Sequence, residues 1–249
     1  MQDVLNPPAL AEPSRDGLPP MPPGPPHEER HFAQDGAGRD LVVGAAQGLA
    51  LPFALSAALA GAGASAGVIV TAGFVAVAAS SLAVGLNGWA QAREEAAHYA
   101  LERGREEEES MLYPDRERWE VAAILHRYGV KGDVLRQAVE SIAADRRKWV
   151  DFMMRFELDL SEPDPFRAAR SALAMGGGGA LAGLVPLLPF MVGDRPLLAS
   201  AVMTALAMLG LGAVRAQGKG LPAAVGAAQA LGIGAAVAAV AWFVGRLVA

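Results

Sequence analysis

From Leu41 to Ala92 the chain carries no Asp, Glu, Lys or Arg, and further charge-free stretches cover residues 171–193, 196–214 and 220–245. A helix that crosses the hydrocarbon core of a bilayer needs about 20 predominantly apolar residues. The first stretch is long enough for two crossings, folded at Gly61-Ala-Gly63-Ala-Ser65, and each of the others for one. The pattern therefore predicts an all-α membrane protein with five transmembrane helices, at about Leu41–Leu59, Val68–Gln91, Phe166–Val192, Pro196–Val214 and Leu221–Leu247. No proline or glycine pair interrupts residues 89–103, so the second crossing is expected to run on into water as one helix until Tyr113-Pro114-Asp115.

Shorter helical patterns follow at Arg116–Tyr128, Asp133–Glu140 and Trp149–Leu158, punctuated by Gly129 and Gly132. They predict a small helical domain between spans 2 and 3. The expected organisation is a tail at 1–38, spans 1 and 2 in 39–92, a polar helical domain in 93–165 and spans 3 to 5 in 166–249. The tail holds nine of the 17 prolines, including Pro19-Pro20-Met21-Pro22-Pro23, and is expected to be disordered because it can neither bury apolar surface nor donate enough backbone hydrogen bonds. It lacks the basic and then apolar order of a signal peptide, so the first span is expected to act as the targeting signal.

Composition agrees with a helical membrane protein: 53% hydrophobic residues, only 6% aromatic, and 29 glycines that let helix backbones approach in lipid. The absence of cysteine excludes thiolate zinc sites, disulfides and a cysteine nucleophile. Charge is segregated, with 18 of the 26 acidic and 12 of the 21 basic side chains in residues 93–165. Arg39, that insert, Arg167, Arg170, Arg215 and Lys219 fall on one side of the predicted membrane, against Arg195 and Arg246 on the other. The positive-inside rule then puts the N-terminus and the polar domain in the cytosol. The alanine-rich composition suggests a plasma (inner) membrane.

Glu95, His98, Glu102, Glu106 and Glu109 fall within a stripe roughly 80° wide on one helix face. Crowded carboxylates repel, and protonation or a bound cation relieves them. A Glu-rich helix face is more often simply solvated, and Arg93, Arg103 and Arg105 offer intrahelical partners. Met153 and Glu157, at i and i+4, add a soft thioether beside a hard carboxylate, with Met154 adjacent, although paired methionines more often pack a core. Soft and hard ligands together suit a borderline ion such as Fe(II), with Mn(II) and Zn(II) as alternatives, rather than Mg or Ca.

These features resemble the vacuolar iron transporter family over roughly residues 39–248. The first span carries Gly44-Ala45-Ala46-Gln47-Gly48-Leu49-Ala50-Leu51-Pro52-Phe53-Ala54-Leu55, and the third Pro186-Leu187-Leu188-Pro189-Phe190. The family's two ligand pairs at spacing three, separated by eight, fall on Glu95, His98, Glu106 and Glu109, and its Met-Met-x-x-Glu element on Met153, Met154 and Glu157. Glu102 lies between the pairs as an additional ligand. The resemblance implies a homodimer in the lipid bilayer whose cytosolic domains collect Fe(II) and pass it to a path between subunits, exporting it in exchange for protons, without an organic cofactor. Gln47, Asn87 and the helix breaks at Pro52, Pro186 and Pro189 would line that path. Two positions depart from the family: Gln47 stands where it has an aspartate, and Val84 where it has a methionine. A neutral amide cannot exchange a cation for protons.

Two other functions fit parts of the pattern. A membrane metal sensor or scaffold that does not transport is favoured by Gln47 and Val84. A ferroxidase is suggested by the Glu95-x-x-His98 spacing of di-iron carboxylate sites, which call for a second such pair on another helix. There is no P-loop, no Gly-x-Ser-x-Gly and no basic surface, which argues against nucleotide, serine-hydrolase and nucleic-acid functions. Gly176-Gly177-Gly178-Gly179 reads as a helix-packing segment.

Overall fold

A computed structural model describes residues 36–193 and 196–249; the proline-rich segment before Gly36 and the topological marker Arg195 lie outside the described residues. Among these residues the chain is all helical. The helices are α1 (Gly36–Gly61), α2 (Ala66–Leu112), α3 (Pro114–Arg127), α4 (Gly132–Ala143), α5 (Arg146–Phe156), α6 (Arg167–Leu184), α7 (Leu188–Val192), α8 (Pro196–Gln217) and α9 (Ala223–Val248).

The expectation of one helix running from the second apolar stretch into the acidic one holds. α2 is 47 residues long, which at 1.5 Å per residue is about 70 Å, more than twice the ~30 Å of a hydrocarbon core. Four helices, α1, α2, α8 and α9, are long and apolar enough to cross a membrane. The third expected crossing, at 166–192, is broken. α6 stops at Leu184 and α7 resumes at Leu188, because Pro186 and Pro189 cannot donate backbone hydrogen bonds. The carbonyl of Pro186, which the Phe190 N–H leaves for that of Leu187, accepts from Ser200 Oγ of α8 at 2.7 Å. Pro52 lies inside α1, and Ser56 Oγ donates to its carbonyl at 2.7 Å.

α6 packs against α1 and α2, α9 lies on α1, and α8 pairs with α9. The seam of α1, α2 and α6 is built from small residues. Gly44 and Gly48 of α1 face Met175 and Gly179 of α6, while Gly85 of α2 faces Ala172 and Gly176. At the entrance of this seam, Asp40 of α1 is buried and its carboxylate accepts from both terminal nitrogens of Arg167 in α6. Of the glycine run, Gly176, Gly178 and Gly179 meet neighbouring helices and Gly177 faces open space.

Beyond the apolar part of α2, α3 packs on α4 and α4 on α5. Their core is Val121 and Ile124 of α3, Val139 of α4, and Trp149 and Met153 of α5. Pro114 opens α3 at a position where its missing N–H costs nothing, and Asp115 and Glu117 follow in the first turn, where the helix dipole favours acids. Asp145 caps α5 by accepting from the backbone N–H groups of Arg147 and Lys148. Gly129 and Gly132, between α3 and α4, have φ of 92° and 63°, a left-handed conformation that glycine adopts without strain.

Candidate metal centre

The end of α2, the start of α3 and the end of α5 meet, and five carboxylates gather there: Glu106, Glu109, Glu117, Glu120 and Glu157. Glu106 is only 5% exposed and its Oε2 has no hydrogen-bond partner. An unpaired buried carboxylate is expensive, and its acid group is accordingly pushed up to about 7, by burial first and then by Glu157, Glu117, Glu109 and Glu120. Glu120 is raised by burial and then by Glu117 and Glu157. Glu157 is raised in the same sense, by desolvation against its packed neighbours and then by Glu117 and Glu109, although the residue as a whole stays exposed at the end of α5. The side chains that raise one another are the cluster's members, drawn from three helices.

Arg116 is the resident counter-charge. Its guanidinium donates to Glu109 at 2.6 Å and to Glu117 at 3.0 Å and lies 3.7 Å from Glu120. Glu117 is buried to 1% exposure. Among the described residues no three His, Asp or Glu side chains already stand close enough to hold a metal ion. Repulsion between carboxylates and the presence of Arg116 between them account for that. Displacing Arg116 would leave Glu109, Glu117 and Glu120 free to turn toward a divalent ion beside Glu106.

Of the residues singled out from sequence, Glu106, Glu109 and Glu157 are in this cluster. Glu95 and His98 are not. They stand exposed 11 residues earlier on the same straight helix, about 16 Å down its axis. The pair Glu95/His98 therefore cannot close on one ion with Glu106/Glu109. Glu95 contributes instead to the field at Arg167 of α6. His98 Nδ1 lies 4.0 Å from Glu102, which also faces Arg105 at 3.4 Å. Met153 and Met154 are each 1% exposed. Met153 is part of the domain's apolar core, the commoner fate of methionine, and Met154 lines a cavity between α2 and α5.

Glu117 and Glu120 were outside the sequence-derived ligand set, yet a signal for them exists. Glu95/His98, Glu106/Glu109 and Glu117/Glu120 are three pairs at spacing three, repeating every 11 residues. The same spacing thus fits either the first two pairs or the last two. The break at Tyr113-Pro114 folds the third pair back toward the second, whereas nothing folds the first.

In the membrane part, Gln47 and Asn87 are exposed on the single chain, and Val84, Pro52, Pro186 and Pro189 are buried. Asp40 is the only carboxylate among the described residues of α1, and it is committed to Arg167.

A family model described as "VIT family" matches residues 38–246. Vacuolar iron transporter 1 of Eucalyptus grandis is 43% identical over 186 residues, covering 74% of this chain and 75% of the relative. Vacuolar iron transporter 1 of Arabidopsis thaliana is 38% identical over 225 residues, covering 89% of this chain and 90% of the relative. Protein CCC1 of Saccharomyces cerevisiae is 31% identical over 153 residues, covering 61% of this chain and 47% of the relative. The plant relatives are named for the vacuole, so the plasma membrane expected from composition finds no support in them.

Proposed function

The chain belongs to the VIT family, and on that footing we propose that it moves divalent iron out of the cytosol, starting from the carboxylate cluster beyond the apolar part of α2. It is a multi-pass membrane transporter of the vacuolar iron transporter type rather than an enzyme. Glu106, Glu109, Glu117, Glu120 and Glu157 are the proposed cation ligands. The observation that carries this is the buried, unpartnered Oε2 of Glu106 among four further carboxylates, on the same helix that enters the apolar bundle. Manganese is the proposed second cargo, since hard oxygen ligands accept it equally well.

In this reading the α6–α7 segment makes a fifth crossing, its break covered by α8, and the N-terminus and polar domain are cytosolic. The ion path runs at the seam of a homodimer, where Gln47 and Asn87 would become lining residues. Their exposure on one chain supports that placement. Glu95, at the base of the acidic stretch, would pass the ion from the cluster toward Gln47. Gln47 offers a carbonyl dipole but no proton, so transport is expected not to be driven by a pH gradient.

The test is flux of Fe(II), Mn(II) and Zn(II) into proteoliposomes, with and without an imposed pH gradient, for the natural chain and Gln47→Asp. Gradient-independent Fe(II) flux that becomes gradient-dependent in the variant is the expected result. Gradient-driven flux in the natural chain refutes the role given to Gln47. Folded protein that binds metal but passes none would leave the second reading, a metal-sensing scaffold, which the absence of a free carboxylate along α1 favours.

A further inference from the structure

A second polar cavity, separate from the carboxylate cluster, lies between α2, α5 and the segment that leads from α5 back to α6. It encloses about 450 Å³ and is lined chiefly by polar groups. Tyr99 and Arg103 of α2 form one wall, Arg147, Asp151 and Arg155 of α5 the other, and Glu162 closes the rim. On α5 the three charged residues are spaced i, i+4 and i+8, so they share one helix face.

The charges are unequally satisfied. Arg103 is fully engaged: it donates to Asp151 Oδ1 at 2.7 Å and to the Tyr99 hydroxyl at 3.2 Å, and lies 3.4 Å from Glu107. Asp151 is thereby neutralised. Because the Tyr99 oxygen accepts from Arg103, its own proton is left to donate elsewhere. Arg147 and Arg155 have no carboxylate within 4.0 Å among the described residues. Two unpaired guanidiniums and one phenol therefore line a space whose only unneutralised acid is Glu162. Met154 and Leu160 add an apolar patch.

We propose that this cavity binds an organic phosphate, with Arg147 and Arg155 gripping the phosphate oxygens, Tyr99 donating a third hydrogen bond, and the organic part resting on Met154 and Leu160. Guanidinium forks match phosphate oxygens in pairs, which a point charge does not. The volume lies in the range of small-molecule sites and is too large for a bare ion. Tyr99 is seven residues beyond Ala92, hence about 10 Å along α2 from the end of the charge-free stretch. The ligand is thus either a soluble phosphomonoester or the headgroup of an anionic phospholipid reaching up from the bilayer, and the chemistry is shared.

The experiment uses the full chain in nanodiscs. Binding of glycerol phosphate is measured by calorimetry in phosphatidylcholine discs, and binding of phosphatidic acid by native mass spectrometry in mixed discs. Arg147→Gln with Arg155→Gln is compared with Arg127→Gln with Lys131→Gln, which removes the same charge elsewhere in the domain. Loss of two charged hydrogen-bond donors is expected to weaken binding about ten- to a hundredfold, with little change in the control pair. Saturable binding of glycerol phosphate that follows this pattern supports a soluble ligand, and binding of phosphatidic acid alone that follows it supports a lipid. Absence of both, or equal loss in the control pair, overturns the proposal. Arg147 and Arg155 are exposed and unpaired, so their removal strands no buried charge, and circular dichroism confirms that both variants remain folded.

Discussion

Adding one methyl group at Gly48 tests the glycine seam that positions α1 on α6. A Cβ built there would lie 2.5 Å from the carbonyl oxygen and 2.7 Å from the carbonyl carbon of Gly179. Ordinary carbon contacts begin near 3.5 Å, so the two helices must part by about 1 Å. The obstructing atoms are backbone, and no rotamer change relieves them. Overpacking of this kind costs roughly 1–3 kcal/mol. Alanine also gains about 1 kcal/mol over glycine as a helix former, which would mask part of the loss. Gly177→Ala removes that ambiguity: it carries the same propensity gain, and nothing lies within 4 Å of its Cβ. The difference between the two variants isolates the packing. At about 2–4 °C per kcal/mol for a chain of this size, Gly48→Ala should melt several degrees below Gly177→Ala by tryptophan fluorescence in detergent. Gly44→Ala, whose Cβ would lie 2.5 Å from Met175 Cα, should behave like Gly48→Ala. The double variant should lose less than the sum, because one separation of the helices relieves both clashes. Equal melting of Gly48→Ala and Gly177→Ala would refute the packing argument.

Four further outcomes are expected from the carboxylate cluster. Glu106 is raised to about 7 by burial and its acidic neighbours, so below that pH a divalent ion must displace a proton. Mn(II) affinity, measured by calorimetry, should approach a roughly tenfold fall per pH unit below 7 and flatten above it, and Glu106→Gln should lose most of that slope. The same raised group means that the metal-free native state holds an extra proton between the ordinary carboxylate value and about 7. Its stability therefore falls as pH rises through that window, which melting curves in chelator will show or refute. Arg116→Gln removes the resident counter-charge of Glu109 and Glu117, so metal-free melting should drop while Mn(II) affinity rises, and unchanged affinity counts against competition between Arg116 and the ion. Glu117→Gln should weaken Mn(II) binding about tenfold or more, and Glu95→Gln less than twofold; the reverse order would move the site to the base of α2.

The helical fold is largely legible in the chain because its causes are local. Apolar length, the desolvation cost of charge in lipid and the breaks at Gly61–Ser65 and Tyr113-Pro114 mark four of the membrane helices, the long α2 among them, without any tertiary information. The third expected crossing is read too simply. Pro186 and Pro189 are visible in it, but the hydroxyl that satisfies the Pro186 carbonyl at the break, Ser200, is 14 residues away and is brought there only by packing.

The candidate site divides in the same way. The sequence by itself establishes that acidic pairs repeat every 11 residues and that a Met-Met-x-x-Glu element follows. Periodicity along one helix cannot say which pairs meet, because side chains on a straight helix share a face without sharing a point. Only the fold-back of α3 on α2, with α5 laid beside both, selects Glu106, Glu109, Glu117, Glu120 and Glu157, leaves Glu95 and His98 about 16 Å away, and turns Met153 into the core. Carboxylates on separate helices meet only where the helices pack, so their meeting is decided by tertiary packing rather than by spacing along one of them.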